Sequence, residues 1–130
     1  MLNLDTKIVK NFVIRIFFAN FAGKITIKML KFISFGSGSS GNSYYLYTET
    51  DSLLIDVGVG IRTLKKHFHN YGLRFEDVHH ILITHDHADH VKSVGSLSTD
   101  YHLPVYATRK VHAGIERNYC VRKKIVPNHA

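Results

Sequence analysis

Residues 84–91 read THDHADHV and follow the apolar run Ile81, Leu82, Ile83. His85, His87, Asp89 and His90 give the pattern H-x-H-x-D-H. Imidazole nitrogen and carboxylate oxygen are ligands suited to zinc and neighbouring divalent metals. On an extended or looped segment alternate side chains point to one side, so His85 and His87 can converge on one ion. A turn at Ala88 then sends Asp89 and His90 toward a second position. Ligands placed just past a buried strand sit on a rigid support and project from the end of the sheet. A divalent ion lowers the pKa of bound water to about 7 and stabilises a developing oxyanion. The residues alone point to a two-metal site; the chemistry such a site could do is metal-assisted hydrolysis at a carbonyl carbon or a phosphorus, in which Asp89 is the candidate catalytic residue to orient the nucleophile. Of the other histidines, His67, His69, His102 and His112 read as surface residues, and His79 and His80 flank a strand.

A second informative stretch is GSGSSGNS at residues 36–43. Gly36 and Gly41 have the separation of a phosphate-binding loop, but Asn42 stands where its lysine belongs. An aromatic-rich strand follows, not the helix whose N-terminus would hold phosphate. The segment reads as a tight connection whose glycines allow positive φ, with a role at the cleft as a further possibility.

The elements that must carry these residues are readable from residue 29 onward. Strands are expected at 30–35, 42–48, 52–57, 79–84 and 104–107, with a turn at 49–51. A helix over 60–71 places Ile61, Leu64, Phe68 and Tyr71 on one face, and Gly72 ends it. A helix over 91–101 carries Val91, Val94 and Leu97. Thr108 caps a last helix carrying Val111, Ile115 and Tyr119. Strands that meander first and then alternate with helices argue for a mixed α/β sandwich.

A length of 130 residues suits one modest domain. The single cysteine, Cys120, excludes an internal disulfide, suits a reducing compartment, and reads as a small buried or half-buried residue. The net charge of +7 is uneven: residues 1–28 carry +4, which leaves only +3 for 29–130. The basic argument for a nucleic-acid partner is therefore weak outside the cluster Arg122, Lys123, Lys124. The apolar run at 12–22 is broken by Arg15 and Asn20. It is shorter than the roughly 20 residues a membrane span needs, so stable insertion is not expected. Lys7 and Lys10 precede it as in a signal peptide, yet no small-x-small cleavage site follows. Three readings stand: an extension ahead of a natural start at Met29, a signal or membrane-surface segment, or a structural element. The first is the working expectation, with residues 1–28 outside the fold and 29–130 as the domain.

The motif together with Asp56-Val57-Gly58 at the end of an upstream strand resembles the metallo-β-lactamase superfamily. The stretches FGSGSSGNSYYL, LLIDVG, ILITHDHADH and HLPVYAT are similar to its YycJ/WalJ-like branch, from residue 29 to about residue 128. The resemblance implies an α/β fold, here the first half of an αββα four-layer sandwich. It implies two divalent metals, zinc foremost with manganese or iron as alternatives. His85 and His87 would belong to the first site, Asp89 and His90 to the second, while Asp56 and Thr84 hold the loop by hydrogen bonds. It further implies a cytoplasmic phosphodiesterase or exonuclease acting on DNA. The alternatives are a small-molecule ester, thioester or lactone hydrolase and a non-catalytic metal-binding remnant. The family's later ligands have no good match, because only 40 residues follow His90. Among these His102, His112, His129 and Asp100 are poor candidates. The chain is accordingly expected to be truncated and inactive alone. The exposed inner face of its sheet would then be covered by a complementary C-terminal fragment or by an oligomer.

Overall fold

The structure, a computed structural model, describes residues 12–19, 23, 25–121 and 123–126. Six strands form one mixed sheet in the order β1-β2-β3-β4-β5-β6. They are β1 (Phe12–Ala19), β2 (Ile25–Gly36), β3 (Ser43–Tyr47), β4 (Ser52–Val57), β5 (His80–Leu82) and β6 (Val105–Tyr106). The first four pair antiparallel in sequence order. The β4–β5 and β5–β6 pairs are parallel, as helical crossovers require. The helices are α1 (Ile61–Asn70), α2 (Ala88–Val91), α3 (Val94–Asp100) and α4 (Arg109–Arg117), with a 3₁₀ turn at Phe75–Asp77.

Side-chain alternation gives the sheet two unlike faces. One row crosses five strands through paired residues: Ile33, Tyr45, Leu54, Ile81 and Val105. All five are buried, and they join one core with Leu64 and Phe68 of α1, Leu97 of α3 and Ile115 of α4. Each such aliphatic side chain contributes about 1.5–3 kcal/mol by leaving water. The opposite face carries Phe32, Leu46, Leu53 and, in the next row, Tyr44, Ile55 and Leu82, all half-buried.

Several expectations change. The β2 strand begins at Ile25, upstream of the expected start, and pairs there with β1. Within the stretch set aside above as an extension, residues 12–19 and 25–28 thus carry ladder pairing. The single helix expected over 91–101 is two helices, because Ser93 breaks out to donate its N–H to Val57 O at 3.0 Å. Its hydroxyl also reaches Val59 O. The last helix is capped by Thr108, whose Oγ1 accepts from Val111 N at 3.2 Å. It ends at Arg117, so Tyr119 leaves its stripe and is 91% exposed. Cys120, expected to be at least half-buried, is exposed in the turn that follows. His67 is not a plain surface residue: its ring stacks on Phe35 at 5.4 Å. His129 and Arg122 lie outside the described residues. Among the described residues, no helix is long and apolar enough to cross a membrane.

Candidate metal centre

Asp56 is the extra residue of a β-bulge. Ser43 pairs with Val57 and Tyr44 with Ile55, so residue 56 has no partner across the ladder. Its φ is +59°, a left-handed conformation that aspartate tolerates better than most residues. The bulge turns its side chain inward, where the residue is only 3% exposed. A buried carboxylate needs donors, and three converge on it. Oδ1 accepts from Thr84 N at 2.8 Å, and Oδ2 accepts from Thr84 Oγ1 at 2.6 Å. His90 Nδ1 lies 2.8 Å from the same Oδ2.

These contacts fix both tautomers. A carboxylate can only accept, so His90 carries a proton on Nδ1, and the neutral ring keeps its lone pair on Nε2, 3.5 Å from Asn42 Nδ2. Thr84 spends its own proton on Asp56, so its oxygen accepts from His85 Nδ1, 2.9 Å away. His85 therefore also presents an unprotonated Nε2. A metal-binding histidine characteristically gives its other ring N–H to such a partner. The two rings stand 4.7 Å apart.

Asp89 lies in the first turn of α2 and is held by Asn42. Asn42 donates Nδ2 to Asp89 Oδ2 at 3.2 Å and to Asp89 O at 3.1 Å. Its backbone N–H also donates to Asp89 O at 2.8 Å. Main chain packs on main chain beneath. A Cβ on Gly36 would come 2.6 Å from Gly41 O, and one on Gly41 2.6 Å from Gly58 O. One on Gly58 would come 1.7 Å from Asp89 O. The glycines at 36, 41 and 58 thus let β2, the serine-rich loop, the end of β4 and α2 stack at backbone distance.

The structure groups the expected residues unevenly. One ligand-type atom from each of Asp56, His85 and His90 falls within a 4.8 Å group. Asp56 already accepts three hydrogen bonds and acts as the orienting member. Asp89 Oδ2, 3.8 Å from His90 Nε2, is the carboxylate beside that nitrogen. His87 stands apart, with its ring 6.2 Å from that of His85 and its side chain 76% exposed. By ring distance His85 stands nearer to His90 than to His87. Asp100 is occupied elsewhere, 2.6 Å from Lys123 Nζ. Two unprotonated imidazole nitrogens next to a carboxylate fit a divalent cation. Asn42 was missed as a site residue, because only its mismatch to a phosphate loop marks it in the sequence.

A family model described as Anti-Pycsar protein Apyc1 matches residues 30–117, from β2 to the end of α4. The chain belongs to that family. This member of the Apyc1 family is 40% identical over 87 residues to exodeoxyribonuclease YycJ of Bacillus anthracis. It is 38% identical over 88 residues to exodeoxyribonuclease WalJ of Streptococcus pneumoniae serotype 2. Those matches cover 67% and 68% of this chain and 33% of each relative, so the chain spans about a third of their length. A solved metallo-β-lactamase with a HARLDQ motif, from Cronobacter sakazakii, superposes with a TM-score of 0.56 at 19% identity. That match covers 68% of this chain and 35% of the other. The fold is therefore that of the metallo-β-lactamases, as the motif implied. Fold and His/Asp grouping together support divalent-metal use.

Proposed function

We propose that this chain carries the metal-binding end of a metal-dependent hydrolase that cuts DNA phosphodiesters. The observation that carries the reading is the Nδ1 bonding of His85 to Thr84 and of His90 to Asp56, which directs the lone pair of each neutral ring to Nε2. The exodeoxyribonuclease names of the relatives support DNA as the substrate. His85, His87, Asp89 and His90 would hold the metal, for which zinc suits the donor set best. A bound divalent metal supplies Lewis acidity and lowers the pKa of water. Asp89, fixed by Asn42 and one-third exposed, would orient the water that such a metal activates. Asp56 and Thr84 keep the two imidazoles in one tautomer. A cytoplasmic location accords with a DNA substrate and with an exposed thiol at Cys120.

The chain alone is expected to bind metal but to turn over little, because it spans a third of the relatives. A complementary polypeptide, or a second copy, would cover the half-buried face of the sheet. The test is calorimetry with zinc and manganese, followed by hydrolysis of bis-p-nitrophenyl phosphate with and without a polypeptide supplying the relatives' remaining length. Zinc uptake that falls 10-fold or more in His90→Ala is expected, with turnover only in the supplemented sample. No zinc uptake refutes the centre. Retardation of DNA that weakens steeply with salt is expected of the phosphodiesterase. Hydrolysis of esters or lactones without DNA retardation would replace DNA by a small molecule, and metal binding without turnover in any sample would leave a binding module.

A further inference from the structure

His85, His90 and Asp89 each have a support already described, in Thr84, Asp56 and Asn42. Among the described residues, no hydrogen bond reaches the ring of His87, which lies 3.9 Å from Asp86 Oδ1. The residue before it is held instead. Asn118, just past the end of α4, donates Nδ2 to Asp86 O at 2.9 Å. Its Oδ1 accepts from Cys120 N at 2.9 Å, so the amide can face only one way. Gly114 lies against the Asp86 side chain: a Cβ there would fall 1.8 Å from Oδ2 and 2.7 Å from the Asp86 Cβ. Both faces of residue 86, carbonyl and side chain, thus rest on α4.

We propose that Asn118 and Gly114 are positioning residues that aim His87 by fixing Asp86. The peptide between 86 and 87 sets the direction in which His87 leaves the chain, and its carbonyl is the atom Asn118 holds. Rotation of that peptide carries the His87 ring toward or away from His85. The proposal rests on the metal-centre reading above and assigns a role to α4, which contributes no ligand of its own.

The test uses the full chain and two variants. Asn118→Asp keeps the acceptor for Cys120 N and removes the donor to Asp86. Gly114→Ala keeps Asn118 and pushes Asp86 away. Nitrogen-15 spectra of the metal-free protein read the His87 ring and the Ala88 amide, and zinc titration reads affinity. Both variants are expected to move the His87 and Ala88 signals while His85 and His90 stay put. Zinc affinity should fall about 10-fold, the scale of lost outer hydrogen bonds. Should one variant unfold, the other gives the same readings. Unchanged His87 and Ala88 signals overturn the proposal, as does equal movement of His85 and His90, which would mark general loosening. If the wild-type chain takes up no zinc, the centre is refuted and the His87 signals alone decide the positioning.

Discussion

Asp56 concentrates three demands on one side chain: a left-handed backbone, burial, and acceptance of three hydrogen bonds. Asparagine meets the first demand and part of the third. In Asp56→Asn one oxygen can still accept from Thr84, but the amide NH₂ faces donors where Oδ2 accepted. The variant should stay folded while His90 loses its fixed tautomer, and zinc affinity should fall 10- to 100-fold by titration. Asp56→Ala leaves the Thr84 and His90 donors unmatched at a partly buried site and should cost about 1 kcal/mol in urea unfolding. If Asp56→Asn binds zinc like the wild type, the orienting role is wrong. Asp56 and Thr84 could be named because the family resemblance implies hydrogen-bonding residues at those positions. Asn42 could not: its partner is 47 residues away, and nothing adjacent to it in the chain announces the contact. His85 and His90 could be named as ligands, but not as neighbours, since sequence spacing does not tell how α2 rotates one toward the other.

At the level of elements, α2 owes its position to Gly58. The atoms a Cβ would strike there are Asp89 O at 1.7 Å and His90 N at 2.8 Å, both backbone. Gly58→Ala must therefore displace the whole turn that carries Asp89 and His90. Overpacking of this kind costs about 1–3 kcal/mol, measurable in urea unfolding, and zinc affinity should fall with it. A variant that melts and binds like the wild type would show that α2 is not seated on residue 58. The hairpin of β3 and β4, α1 and the cap at Thr108 follow from local patterns of alternation, helical spacing and capping. The break at Ser93 does not, because it depends on carbonyls of Val57 and Val59 that only the tertiary fold brings near. For the same reason the extent of β2 is set by β1 across the ladder and not by its own composition.

Across the molecule, the buried face of the sheet ties stability to alkaline pH. Burial raises the pKa of Tyr45 above its ordinary 10.0, partly offset by the Ser52 hydroxyl, and burial raises Tyr47 as well. Above pH 10 the unfolded chain therefore releases these phenolic protons before the folded one does. The folded state then holds more protons, so stability is fully present below about pH 10 and declines as pH rises through the folded values. Urea midpoints measured from pH 8 to pH 11 should be level at first and then fall, and Tyr45→Phe should flatten the fall. A midpoint that declines equally in Tyr45→Phe would assign the effect to other groups.

The glycine stack under Asp89 carries a consequence for how the proposed centre can diversify. Its floor is built from carbonyls and amides, which substitution cannot alter, while the crown of the same loop is Ser37, Ser39 and Ser40, all turned to solvent. Exchanging those three alters only groups that face solvent and leaves the backbone stack under Asp89 where it is. The surface of this loop can thus vary independently of the packing that seats α2.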